Sequence, residues 1–192
     1  MTETAARQGP GDWSGRMVWI DCEMTGLLPE KDVLLEVAAL VTDADLTILG
    51  EGVSVVIRPP EGAVEKMAPI VQKMHTDSGL LAELDQGISL KEAEDRVLDY
   101  VTSWVPEARV APLAGNSVHA DKMFLRVGMP RLTEHLHYRL IDVSTLKELA
   151  RRWNPQALES APRKTGNHRA LGDIRDSIEE LRHYRKALFR TS

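Results

Sequence analysis

Two carboxylates stand two residues apart at the end of an apolar run near the start of the chain. The run is Met17-Val-Trp-Ile-Asp-Cys-Glu-Met-Thr-Gly-Leu27, and the acids are Asp21 and Glu23. In a β-strand, residues i and i+2 leave the same face about 6.5 Å apart, so two acids repel each other unless a cation lies between them. Carboxylate oxygens suit the hard divalent ions Mg²⁺ and Mn²⁺. Taken alone, the pair is equally compatible with a strand that ends in a solvated acidic turn.

A third acid, Asp121, follows a predicted junction between a strand and a helix. It closes the segment Gly115-Asn-Ser-Val-His-Ala-Asp121. Ligand sites in open α/β sheets favour such junctions, and the positive end of the helix dipole favours a carboxylate there. A helix-capping acid is the simpler interpretation of Asp121 when it is taken alone.

A histidine and a fourth acid open the last predicted helix, in His168-Arg-Ala-Leu-Gly-Asp173. Five helical residues rotate by about 500°, so the two side chains can share a site only if His168 lies in the preceding loop. An unperturbed histidine pKa of about 6.5 suits proton abstraction from water near neutrality. Four acids balance two divalent cations, and such a pair can bind a phosphodiester, activate water and stabilise the leaving oxygen.

The elements that must position these residues form an α/β pattern. Strands are predicted at residues 17–23, 33–41, 46–58, 109–115 and 138–142. Helices are predicted within residues 62–104 and at 120–127, 144–153 and 170–189. Periodicity allows either helix or strand at 33–41, and its β-branched ends favour a strand. Three successive strands with tight connections imply an antiparallel meander, so we expect a mixed central sheet flanked by helices.

Local signals mark where two of the helices begin. The capping box Ser89-x-x-Glu92 predicts a helix start, and Ser144 offers an imperfect N-cap for a later helix. Residues 154–167 are polar and are predicted to form a loop before the last helix.

Length and composition predict a soluble domain. The chain of 192 residues suits one domain over residues 15–192 after a flexible arm over residues 1–14. No apolar run approaches the roughly 20 residues that span a bilayer, which argues against a membrane partner. The single cysteine, Cys22, excludes an internal disulfide framework and fits a reducing compartment, so we expect a cytoplasmic protein.

Charge is distributed unevenly along the chain. The net charge is −5, which argues weakly against a protein that grips long nucleic acid through its backbone. Residues 151–192 hold ten Lys or Arg and five Asp or Glu, a local +5, which leaves −10 for residues 1–150. An acidic body with a basic end could bind cations and a small anion, although a helix with a solvated charged face fits the composition equally well.

The order of the acids and the histidine resembles the DEDDh group of 3′-to-5′ exonucleases, which has a ribonuclease-H-like fold. Longer segments are similar to the oligoribonuclease family. They are Trp19-Ile-Asp-Cys-Glu-Met-Thr-Gly-Leu27, Gly115-Asn-Ser117, His137-Tyr-Arg139, Asp142-Val-Ser-Thr-Leu-Lys-Glu-Leu-Ala-Arg-Arg-Trp153 and His168-Arg-Ala-Leu-Gly-Asp-Ile-Arg-Asp-Ser177. The similarity runs from about residue 17 to about residue 188.

The resemblance implies a role for each matching catalytic position. Two Mg²⁺ or Mn²⁺ ions would be held by Asp21, Glu23, Asp121 and Asp173. His168 would be the general base. Oligoribonucleases are homodimers, and the resemblance implies that Tyr138, a second catalytic residue, and Arg139 reach into the partner's site.

The resemblance also implies a set of substrate contacts. Leu27 would wedge against the bases, and His75 would line the base pocket. Ser117 and Arg139 would hold the substrate's terminal phosphate. Ile70 departs from an aromatic residue in relatives, which puts base stacking on that side in doubt. Leu27 as a core residue and Tyr138 as an ordinary strand residue remain the structural alternatives.

The implied function is 3′-to-5′ hydrolysis of RNAs of two to a few residues to 5′-mononucleotides. One alternative is a proofreading or repair exonuclease that acts on longer DNA. Another is a metal-stabilised binding module without catalysis.

Overall fold

The computed structural model describes residues 15–162 and 169–189. The predicted N-terminal arm and His168 lie outside these residues. Two of the four candidate acids, Asp121 and Asp173, lie in the first turn of a helix, and the other two, Asp21 and Glu23, lie in the second half of β1.

Five strands form one sheet in the order β3-β2-β1-β4-β5. The strands are β1 (Met17–Met24), β2 (Leu34–Thr42), β3 (Ile48–Val56), β4 (Pro112–Gly115) and β5 (His137–Asp142). β1 pairs antiparallel with β2, and β2 pairs antiparallel with β3. β4 runs parallel to both β1 and β5. The predicted meander and mixed sheet are therefore confirmed.

β2 settles the ambiguity of residues 33–41 in favour of a strand. All of Leu34–Thr42 is buried, since β2 lies between β1 and β3 and is covered on both faces. A strand in that position reads as a continuous apolar run without alternation, which explains why periodicity could not distinguish it from a helix.

Helices cover both faces of the sheet. They are α1 (Pro69–Asp77), α2 (Leu80–Glu83), α3 (Leu90–Trp104), α4 (His119–Gly128), α5 (Pro130–His135), α6 (Val143–Trp153), α7 (Pro155–Glu159) and α8 (Ala170–Leu188). Helices α3, α4 and α5 share one apolar core with the face of β1 that carries Ile20 and Cys22. Helices α6, α7 and α8 share the core on the opposite face, which carries Trp19.

The starts of three helices can be compared with the caps and the loop that the sequence predicts. The Ser89 hydroxyl accepts the Glu92 backbone N–H, as the capping box predicts. The expected cap of α6 at Ser144 was wrong, because the Asp142 carboxylate caps this helix and accepts the Ser144 N–H at 3.0 Å. The segment 154–167, predicted to be a loop, contains α7. Asn154 is the N-cap of this helix, and its side chain accepts the Ala157 N–H.

The carboxyl ends of β1, β4 and β5 meet at one edge of the sheet, since these three strands are parallel. Ligands of open α/β sheets bind at such an edge. Among the described helices, none is long and apolar enough to cross a membrane.

Candidate active site

Asp21 and Glu23 lie at the carboxyl end of β1, on the face that α8 covers. Trp19, two residues earlier on the same face, is fully buried against this helix layer. Glu23 is 7% exposed, and Asp21 is half-buried. The alternating direction of side chains in a strand therefore puts both carboxylates under the start of α8.

Asp173 completes a compact acidic cluster from the first turn of α8. Its backbone N–H donates to the carbonyl of Arg169, which begins the helix. Asp21, Glu23 and Asp173 each offer an oxygen atom, and these atoms lie within 4.8 Å of one another. Three carboxylates this close fit a hard divalent cation with oxygen ligands. The prediction that His168 lies before the helix concerns a residue outside the described part of the chain.

Asp121 approaches the same end of β1 from the opposite helix layer. It lies in the first turn of α4 and is 6% exposed. Its carboxylate accepts the backbone N–H of Cys22, the residue between Asp21 and Glu23, at 3.0 Å. It lies outside the 4.8 Å group, but its charge acts on Glu23. The capping interpretation is insufficient, because the side chain turns to β1.

The pKa values of the buried acids are raised strongly. Burial raises the pKa of Glu23 to about 8, and the charges of Asp173, Glu36 and Asp121 add to the effect. Burial raises the pKa of Asp121 to about 7, against the opposing hydrogen bond from Cys22. The cluster thus retains protons near neutrality that a divalent cation must displace in order to bind.

His75 supports Glu23 from behind. The ring is fully buried, and Nε2 lies 2.9 Å from the carbonyl oxygen of Met24. Nδ1 lies 3.7 Å from a carboxylate oxygen of Glu23 and has no hydrogen-bond partner among the described residues. Because the ring has no exposed surface here, its contact with a substrate base stays a prediction.

Leu27 projects from the connection between β1 and β2. It is 74% exposed, which excludes the core interpretation. Asp32 closes the loop by accepting from the Thr25 hydroxyl at 3.0 Å and the Leu28 N–H at 2.9 Å. A Cβ at Gly26 would lie 2.4 Å from the Asp32 carboxylate, so this closure requires glycine. Ile70 is 73% exposed, so both residues present apolar surface to solvent.

Ser117 lies in a cluster of polar groups between the ends of β4 and β5. It has a positive φ of 53°, an uncommon backbone conformation for a residue with a side chain. Its N–H donates to the Asp142 carboxylate at 2.9 Å and lies 3.0 Å from the Ser144 hydroxyl. The two serine hydroxyl oxygens are 3.2 Å apart, and Ser144 also donates to Asn116. Neither Asp142 nor Ser144 was assigned a site role from the sequence, although both lie in the segment 142–153 that resembles the family.

Tyr138 and Arg139 are displaced from the sheet by a bulge. Pro112 pairs with His137 whereas Leu113 pairs with Leu140, so the two residues between them on β5 have no partners on β4. Both side chains are exposed, Tyr138 by 72%. The Lys122 ammonium donates to the Tyr138 carbonyl at 2.8 Å. Tyr138 is therefore an exposed residue of β5 at the edge of the sheet, and its role in a site stays a prediction.

Comparisons with known proteins define the class first. The profile of the RNase_T exonuclease family matches residues 18–181. A zinc-bound complex of E. coli exonuclease I with single-stranded DNA shares the fold at a TM-score of 0.68 and 14% identity. The match covers 91% of this chain and 41% of that protein. The fold is the ribonuclease-H-like fold of exonucleases, and the protein is a nuclease that hydrolyses phosphodiester bonds.

Closer relatives specify the family. The oligoribonuclease of Streptomyces coelicolor is 62% identical over 174 residues, which cover 91% of this chain and 87% of that protein. The oligoribonuclease of Cutibacterium acnes is 55% identical over 172 residues, which cover 90% and 85%. The chain belongs to the oligoribonuclease family.

Proposed function

We propose that the protein is a 3′-to-5′ exoribonuclease that degrades RNAs of two to a few residues to 5′-mononucleotides. The observation that carries the proposal is the convergence of Asp21, Glu23 and Asp173 within 4.8 Å, with Asp121 turned to the same strand end. Four carboxylates balance two Mg²⁺ or Mn²⁺ ions. The ions, when bound, activate water and stabilise the leaving oxygen.

The chain itself supplies orientation and proton handling. The Cys22 N–H holds the Asp121 carboxylate beside the metal site, and the buried His75 ring packs beside Glu23. We assign His168 as the general base that takes the proton from the attacking water, a role that typically contributes 10²–10⁴-fold in rate. Leu27 and Ile70 present exposed apolar surface for contact with the substrate's bases.

Ser117 and Ser144 form a cradle for the terminal phosphate. Their hydroxyl oxygens converge to 3.2 Å, and Asp142 holds the Ser117 backbone in its left-handed conformation. A phosphate capped by these groups and by Arg139 of a second copy of the chain has no open path along which a longer RNA could continue. A substrate this small also needs few basic residues, which agrees with the net charge of −5.

A homodimer would complete this site. Val18 of β1 is level with Leu113 of β4, which is level with Leu140 of β5. Tyr138 therefore lies about 10 Å short of Asp21 along the strands and two strand spacings of about 4.8 Å away. A tyrosine side chain cannot cover that distance, and β5 is an edge strand from which Tyr138 points outward. We propose that Tyr138 and Arg139 enter the partner's site.

We place the enzyme in the cytoplasm, because its single cysteine fits a reducing compartment. We assign residues 15–192 to one exonuclease domain.

The experiment compares hydrolysis of a 5′-phosphorylated RNA dinucleotide with that of a twenty-residue RNA and a twenty-residue DNA. The wild type is expected to favour the dinucleotide strongly. Ser144→Ala should raise KM for the dinucleotide by about 10-fold, since a hydrogen bond to a charged group contributes about 1.5–3 kcal/mol. Thr145→Ala, at the exposed neighbouring position, is the matched control and should leave KM unchanged. Faster turnover of either longer substrate would contradict the proposal.

A further inference from the structure

A fifth carboxylate, Glu36, lies beside the acidic cluster without belonging to it. It is directly opposite Glu23 in the register of β1 and β2 and is 1% exposed. Like charges directly opposite on one face destabilise a sheet, and the charge of Glu36 contributes to the raised pKa of Glu23. A buried charge in this position requires a partner.

Arg169 is that partner. Its guanidinium donates to both carboxylate oxygens of Glu36, at 3.1 and 3.2 Å. It also donates to both oxygens of Glu83, at 2.7 and 3.0 Å. Arg169 thereby joins α2, β2 and the start of α8, elements that are far apart in the sequence. The planar guanidinium suits such a double contact, and the ammonium of lysine does not.

The same contact fixes the start of α8. No side chain from the helix's own N-cap residue caps it, and the Ala170 N–H donates instead to Glu36 on β2 at 3.4 Å. The Arg169 carbonyl accepts from the Asp173 N–H at 3.1 Å. One residue thus holds Glu36 through its side chain and Asp173 through its backbone.

We propose that Arg169 is a positioning residue that holds Asp173 in the ion-binding geometry and keeps Glu36 from replacing it as a ligand. The proposal rests on the proposed two-ion function. With Arg169 intact, Glu36 is occupied by the guanidinium and by the Ser54 hydroxyl. Without the guanidinium, Glu36 has no cationic partner across the strand from Glu23, and the start of α8 loses its side-chain link to β2 and α2.

The test measures Mn²⁺ binding to the free protein by electron paramagnetic resonance, and dinucleotide hydrolysis against Mg²⁺ concentration. Arg169→Ala is expected to weaken Mn²⁺ binding and to lower kcat, each by about 10-fold or more. Glu36→Gln in the Arg169→Ala background should recover part of both losses, because it removes the competing charge. A purely structural role of Arg169 predicts that any recovery only follows the regained free energy of unfolding, which urea unfolding of the same variants measures.

Three further variants serve as comparisons for Arg169→Ala. Glu83→Gln changes only the exposed arm of the contact and should alter both readouts by less than about 3-fold. Arg175 lies on the same helix as Asp173 and donates a hydrogen bond to the Glu51 carbonyl of β3. Arg175→Ala removes that bond, serves as the control, and should bind Mn²⁺ as the wild type does. The Mn²⁺ affinity and kcat of Arg169→Lys should lie between those of the wild type and of Arg169→Ala. If Arg169→Ala does not fold, Arg169→Lys takes its place in the test.

The outcomes separate this inference from the proposed function. Wild-type Mn²⁺ affinity and kcat in Arg169→Ala, or in Arg169→Lys if the alanine variant does not fold, would overturn the positioning role. Failure of Glu36→Gln to restore either readout would overturn the competition by Glu36. A wild-type protein that binds Mn²⁺ but does not hydrolyse the dinucleotide would contradict the proposed function instead.

Discussion

The pKa values of Glu23 and Asp121 are raised because both carboxyls are buried. Burial raises the pKa of Glu23 from 4.5 to about 8 and that of Asp121 from 3.8 to about 7. Both residues are almost inaccessible to water, so the folded protein retains protons that the unfolded chain releases. A divalent cation changes this balance by replacing those protons.

The metal-free protein is therefore expected to lose stability as pH rises from about 5 to about 8. In this window the folded state binds more protons than the unfolded state, so the free energy of unfolding falls by up to about 1.4 kcal/mol per pH unit for each proton. Urea unfolding in EDTA across this range measures the slope. Glu23→Gln should flatten it, and added Mg²⁺ should stabilise the wild type most near pH 8. A wild-type stability that rises over this range in EDTA would contradict the assignment.

Among individual residues, the sequence was most informative where spacing within one element decides geometry. Asp21 and Glu23 share a face because they are two residues apart on a strand, and Asp173 follows from its place in the first turn of a helix. Arg169 and Glu36 could not be paired in this way. They lie 133 positions apart, and nothing in the local pattern of either residue predicts the contact.

At the scale of elements, the junction between β5 and α6 positions Ser117 and Ser144, the residues of the proposed phosphate cradle. Asp142 ends β5, caps α6 through the Ser144 N–H and holds the Ser117 N–H with the same carboxylate oxygen. The sequence pattern predicts α6 correctly but places its cap at Ser144 instead of Asp142. Asp142 is also the last residue of β5, so it could not be recognised as a helix cap from the sequence. The bulge at Tyr138 was equally invisible, since it depends on the register with β4.

Asp142→Ala should lower the free energy of unfolding by about 1 kcal/mol, the usual effect of losing an N-cap, and should raise KM for the dinucleotide. Asp142→Asn keeps an oxygen that caps equally well and should retain most of the stability. Thermal and urea unfolding measure the first effect, and steady-state kinetics the second. Equal stability of the alanine and asparagine variants would show that the cap contributes nothing.

At the scale of the whole molecule, the α/β pattern and the mixed sheet could be predicted because apolar runs and their lengths distinguish strands from helices. Assembly could not be predicted from pattern, since no residue of the chain marks an interface by its type alone. In the structure Tyr138 lies two strands away from Asp21, which agrees with the proposal that it acts in the partner's site.

Mixed dimers test this arrangement. Tyr138→Ala and Asp173→Asn are each expected to be inactive, but a dimer of one with the other contains one site with intact ligands and an intact partner tyrosine. Co-refolding equal amounts should therefore restore about one quarter of wild-type activity. Activity that never exceeds that of the separate variants, although mixed dimers form, would contradict the shared site.

The most direct test of the account is the dependence of dinucleotide hydrolysis on Asp173. EDTA is expected to abolish wild-type hydrolysis and Mg²⁺ to restore it. Asp173→Asn should reduce kcat by at least about 100-fold while the protein stays folded. Glu179→Gln, at an exposed position on the same helix, should retain full activity. Undiminished hydrolysis by Asp173→Asn would contradict an ion-binding site built from these acids.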